Sequence, residues 1–79
     1  MENDRYLIES MEHQFGDYRC WWGPNSCGYT QNLYEAGRYT EAEAREICEK
    51  AGPMNERMWK ERDVYDGEAG HTALVVRIP

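Results

Sequence analysis

The reactive side chains of this chain are three cysteines, two histidines and fifteen carboxylates. A thiol nucleophile needs a histidine held beside it and a lowered pKa. Cys20, Cys27 and Cys48 contain no Cys-x-x-Cys pair, and only His13 and His71 are available to join them. Structural zinc centres draw on closely spaced ligand pairs, so no metal is expected. Cys48 falls on the apolar stripe of a predicted helix and reads as an inert thiol. Cys27 sits in a Gly-rich loop and reads as accessible. His71 follows Gly70 at a strand start, a place where imidazoles are commonly solvated. No GxSxG, HExxH, P-loop or GxGxxG pattern occurs. With no grouped acid, base and nucleophile, the chain is expected to be neither an enzyme nor a cofactor carrier.

The carboxylates carry a different possibility. Glu43, Glu46 and Glu49 recur at i+3 on a predicted helix, where such residues are surface neighbours. Their axial step is about 4.5 Å, against about 3.4 Å per phosphate along one B-DNA strand. Flexible Glu side chains can bring the two rows into step, so the helix can imitate a short phosphate run for a basic groove. The plainer reading is a solvated face braced by Glu41–Arg45 and Glu46–Lys50 pairs. Glu2, Asp4, Glu9, Glu12 and Asp17 add acid at one end of the chain, and Asp63, Asp66 and Glu68 near the other. Arg57, Lys60 and Arg62 are the one basic group; on a shared face they would polarise the molecule.

The formal charge is −6. It disfavours direct binding to nucleic acid, where Lys and Arg supply most of the affinity, and docking to an anionic membrane. It favours a protein partner with a basic surface. No run approaches the ~20 apolar residues of a membrane span, and the acidic N-terminus lacks a signal-peptide core. Three cysteines, an odd number, suit a reducing compartment better than a disulfide framework. A cytoplasmic location is expected.

The elements that position these residues fit one domain over 1–79. Arg5–Ser10 reads as a strand with Tyr6 and Ile8 on one side and Leu7 and Glu9 on the other. Asp17–Trp22 alternates as a second strand, with Tyr18, Cys20 and Trp22 facing the core. Trp21 then emerges beside Asp17 and Arg19, either as an interface anchor or in a second packing layer. Gly23-Pro24-Asn25-Ser26 is dense turn chemistry. The loop Trp22–Thr30 either presents Asn25, Tyr29 and Thr30 for recognition or closes the core with its aromatic ends. Gln31–Ala36 has room for one helical turn before Gly37. Thr40-Glu41-Ala42-Glu43 is a capping box. It opens a helix over Glu41–Ala51 with an Ala44, Ile47, Cys48, Ala51 stripe, closed by Gly52 and Pro53. Residues 54–62 fit a strand or a short helix, and 66–70 a turn. His71–Ile78 reads as one strand with Leu74, Val76 and Ile78 on a face. The expected fold is α+β: a small antiparallel sheet of three to four strands with one amphipathic helix packed on one face.

The motif Trp22-Gly23-Pro24-Asn25-Ser26-Cys27-Gly28-Tyr29-Thr30, followed by Ala36-Gly37-Arg38-Tyr39-Thr40, resembles short uncharacterised proteins of phages and prophages. Those carry Trp-x-Pro-Asn-x-x-Gly-Tyr-Thr and Ala-Gly-x-Tyr-Thr. The resemblance covers roughly Trp22 to Ala51 and implies a mobile-element origin. In size and acidity the chain is similar to anti-CRISPR inhibitors, a likeness of class that transfers no residues. The function expected is inhibition of a host defence complex, by acidic mimicry and steric block of a basic surface on a CRISPR effector. Trp21, Tyr29, Glu43, Glu46 and Glu49 are the expected contacts, on a monomer or a homodimer. The alternative is an accessory interaction module that uses the Trp22–Thr30 loop.

Overall fold

Helix α1, Glu41–Ala51, is the element most completely encoded in local sequence. The structure is a computed structural model that describes residues 4–14, 16–52, 55–65, 71–72 and 75–76. Thr40 Oγ1 accepts the Glu43 N–H at 3.1 Å, and the Glu43 carboxylate accepts the Thr40 N–H at 3.0 Å. Two N–H groups that the helix cannot satisfy internally are thus paired. At the far end Gly52 takes φ 97°, a backbone angle that side-chain-bearing residues rarely adopt. Ala44 is fully buried, and Ile47 and Cys48 pack beside it.

Four strands form an antiparallel sheet in the order β3-β2-β1-β4. These are β1 Tyr6–Ser10, β2 Trp21–Trp22, β3 Tyr29–Thr30 and β4 Glu56–Lys60. β1 pairs residue by residue with β4, from Tyr6 opposite Lys60 to Ser10 opposite Glu56. All five β1 residues are buried. The reason is that both faces of the sheet are covered. Tyr6 and Ile8 lie under α1 with Tyr39 and Ala44. Leu7 faces the other way, into Trp21, Leu33, Ala36, Val64 and Val76. Val64 comes from a short helix α2, Glu61–Tyr65, and Val76 from a hairpin of β5, His71–Thr72, with β6, Val75–Val76. The expected α+β fold, helix on sheet, is what forms, with a second layer added beneath.

That second layer corrects several expectations. Asp17–Trp22 is not one strand. The strand is Trp21–Trp22; just ahead of it the Cys20 carbonyl still accepts the Ser10 N–H of β1 at 2.8 Å, while the Arg19 N–H turns to the Val76 carbonyl at 2.7 Å. Tyr18 is 39% exposed and not a core residue. Trp21 lies opposite Glu9, on the lower face, and is 0% exposed. It is therefore not a surface anchor: the face it points to is roofed by α2, the 31–37 segment and β6. His71–Thr72 and Val75–Val76 pair antiparallel with each other outside the main sheet, where one strand was expected. Arg57 and Lys60, three apart on β4, fall on opposite sheet faces, so the basic residues do not share a side. Of residues 54–62, Glu56–Lys60 form a strand and Glu61 opens a helix, while Met54 lies outside the described residues. Pro53, the 66–70 turn, Leu74, Ile78, Glu2, Asp66 and Glu68 lie outside the described residues.

Candidate functional site

The Trp22–Thr30 loop is built by its own motif. Pro24–Ser26 form a single tight turn, with Asn25 at φ 57° and Ser26 at φ 58°. Asn tolerates the left-handed region and Ser does so less readily, so Ser26 needs support. It comes from Tyr39, whose hydroxyl accepts the Ser26 N–H at 3.0 Å and donates to the Gly23 carbonyl. Gly37 lies so close that a Cβ there would meet the Gly23 oxygen at 2.7 Å, and its N–H donates to the Trp22 carbonyl at 2.8 Å. The two halves of the motif are therefore one unit: Ala-Gly-x-Tyr-Thr is the clamp on Trp-x-Pro-Asn. Tyr39→Phe removes both hydroxyl bonds and nothing else. It is expected to cost about 1–3 kcal/mol, seen as a melting temperature lowered by roughly 5–15 °C in a domain of this size.

The clamp fixes an aromatic row that ends in the open. Trp22 and Tyr29 are paired across β2 and β3. Their rings meet edge to face at 5.9 Å, and His13 stacks on Tyr29 at 3.8 Å. His13 is itself held by a 2.9 Å hydrogen bond between its Nδ1 and Ser10 Oγ. Trp22 Nε1 donates to Glu56 Oε2 at 2.8 Å. Tyr29 remains 46% exposed at the sheet edge. Partial burial, and then the carboxylates of Glu56 and Glu12, push its phenol above the ordinary value, so at neutral pH it is a hydrogen-bond donor. His13 and Glu56 were missed in the sequence, because they stand 16 and 27 residues from Tyr29 and only folding joins them.

The helix carboxylates do not form one row. At 3.6 residues per turn, positions 43 and 49 are about 120° apart around α1. Glu43 and Glu46 line an open groove of about 870 Å³ between α1 and the Pro24–Ser26 turn, floored by Trp22, Tyr39 and Ile47. Glu49 lines a second groove of about 470 Å³ toward β4, with Arg45, Cys48, Glu56 and Arg57. Glu43 is engaged in the helix cap, Glu46 pairs with Lys50 at 3.0 Å, and Glu41 pairs with Arg45. The braced, solvated face expected of an ordinary helix is what forms. Pairs this exposed are each worth under about 1 kcal/mol, so an incoming cation can replace Lys50 on Glu46 at little cost.

The buried polar groups are structural. Glu9, 1% exposed, accepts Arg19 Nη1 at 2.7 Å, Trp59 Nε1 at 2.9 Å, and Gln14 Nε2. Arg57 lies over the Trp59 ring at 4.2 Å and Arg19 at 5.2 Å. Burial pushes the Cys20 and Cys48 thiols up, which favours the protonated form of both. Cys27 is exposed, as its loop implied. Among the described residues no three His, Cys, Asp or Glu side chains are grouped to hold a metal ion, and no helix is long and apolar enough to cross a membrane.

The class of molecule this defines is a small α+β domain with an acid-flanked aromatic edge on a clamped loop. No known protein family matches the chain, and no curated protein or solved structure matches it.

Proposed function

We propose that this protein is a non-catalytic inhibitor that binds a basic protein surface through the Tyr29 edge. The observation that carries this reading is the fixed, half-exposed Tyr29, held between His13 and Trp22. A pre-ordered aromatic side chain loses little entropy on binding and is a frequent interface hot spot. Net charge −6 steers it toward a cationic surface. Glu43 and Glu46 along the first groove, and Glu49 beyond α1, supply acceptors for Lys or Arg of the partner. The form of this activity favoured by size, acidity and the motif resemblance is that of a phage-derived, anti-CRISPR-type protein. It would act in the host cytoplasm and cover the nucleic-acid channel of a CRISPR effector. Because the helix carboxylates are partly spent on the cap and on Lys50, the block is chiefly steric, with charge giving the encounter rate.

The test is a competition assay with purified effector complexes and labelled target DNA. DNA binding should fall as the protein is added. Tyr29→Ala should weaken inhibition about thirtyfold, equivalent to about 2 kcal/mol, beyond the stability of about 1 kcal/mol lost with its ring contacts to His13 and Trp22. If no effector is bound and DNA binding is unchanged, the reading is wrong. A second reading, an interaction module that uses the Trp22–Thr30 loop without reliance on charge, is favoured by the Tyr39 clamp. Salt separates the two: steering by charge fades as ionic strength rises, and docking of the loop does not.

A further inference from the structure

We propose that the outer edge of β4 is a homodimer interface, in which two copies of Glu56–Lys60 pair antiparallel about Met58. The backbone shows which groups are free. Met11 N–H donates to the Asn55 carbonyl and Glu61 N–H to the Arg5 carbonyl, each at 2.8 Å. Hydrogen-bonded pairs alternate along an antiparallel ladder. Arg57 and Trp59 therefore turn their backbone groups toward β1, and Glu56, Met58 and Lys60 turn theirs outward. Among the described residues nothing pairs with that outward side. Five residues of open edge is a template for another strand, and the other edge of the sheet, β3, has only two.

The order of side chains selects the occupant. With Met58 opposite Met58, Glu56 of each copy stands opposite Lys60 of the other, and Arg57 opposite Trp59. Both relations occur twice, as a two-fold axis requires. Opposite charges and cation–aromatic pairs across strands stabilise. Charged residues on an edge ordinarily repel added strands; here they repel strands of other sequences and accept this one. One further detail agrees: among the described residues Lys60 has no closer carboxylate than Asp4, at 3.6 Å, and is available to a second copy. Pairing at β4 makes one continuous sheet of the two, with the Tyr29 edges at its opposite ends.

Sedimentation of the full chain under reducing conditions tests this, read against concentration. The mass should rise from 9.3 kDa to twice that value. Lys60→Glu, which sets like charges opposite each other at two places, should weaken the dimer at least about tenfold with the circular dichroism spectrum unchanged. In a second variant, Met58→Cys with the exposed Cys27→Ser, mild oxidation should join the chains through position 58, identified by peptide mass mapping. A mass of one chain at all concentrations overturns the proposal. So does a dimer that is unaffected by Lys60→Glu and unlinked through position 58.

Discussion

Trp21→Ala is expected to bring this domain to the margin of unfolding. Trp21 is 0% exposed and packs with Leu7, Leu33, Ala36, Val64 and Val76. Removing a buried Trp costs about 3–5 kcal/mol, through lost transfer energy and the cavity left behind. A domain of 79 residues has a total stability of roughly 4–12 kcal/mol. Urea unfolding should show a sharply lowered midpoint or no folded baseline. The indole N–H is buried with no acceptor among the described residues, so Trp21→Phe removes an unsatisfied donor worth about 1–3 kcal/mol and offsets part of its lost volume. Phe should therefore be tolerated where Ala is not. An exposed Trp would give the opposite pattern: Ala within about 0.5 kcal/mol of the parent. Such a result would remove Trp21 from the core.

Glu9→Ala is expected to be nearly as damaging, although it deletes a charge from an already acidic chain. The Glu9 carboxylate joins β1, Arg19 and the Trp59 indole on β4. Taking away one partner of a buried ion pair costs about 3–5 kcal/mol, because the other charge stays behind without compensation. The Arg19 side chain is only 12% exposed, and its Nε already lacks a partner among the described residues. Glu9→Gln keeps the shape and one acceptor, and should fall between Ala and the parent. Glu46→Gln, on the 65% exposed side chain paired with Lys50, should change stability by less than about 1 kcal/mol. Equal effects at Glu9 and Glu46, measured by urea midpoint at constant slope, would mean that Glu9 is not held as described.

These variants also separate stability from binding. Trp21 and Glu9 report on the lower face of the sheet, while Tyr29 reports on the upper edge. Loss of inhibition by Tyr29→Ala far out of proportion to its loss of stability would isolate the contact surface. Inhibition that tracks the melting temperature across the Trp21, Glu9 and Tyr29 variants would mean that folding alone was being read.

What the amino-acid order determined by itself was local. The Thr40–Glu43 box, the Ala44, Ile47, Cys48 stripe and Gly52 lie within one element, and each acts over three or four residues. The alternation of Tyr6 and Ile8 against Leu7 is equally local, since a strand sends successive side chains to opposite sides. The left-handed turn at Asn25 follows from residue type. Alternation alone, however, says only that Trp21 and Trp22 point apart. Which side is solvent was decided by Val64 and Val76, 43 and 55 residues beyond Trp21, which close over the lower face. The same holds for the contact surface. Tyr29 was legible as a loop residue, but its stacking on His13 needed the β1–β2–β3 register, and the approach of Glu56 needed the β1–β4 pairing. Glu43, Glu46 and Glu49 looked like one row on paper, and the helical turn together with two flanking grooves divided them. Local rules set each element's type and pattern; the burial of both sheet faces, a long-range fact, set what each pattern faces.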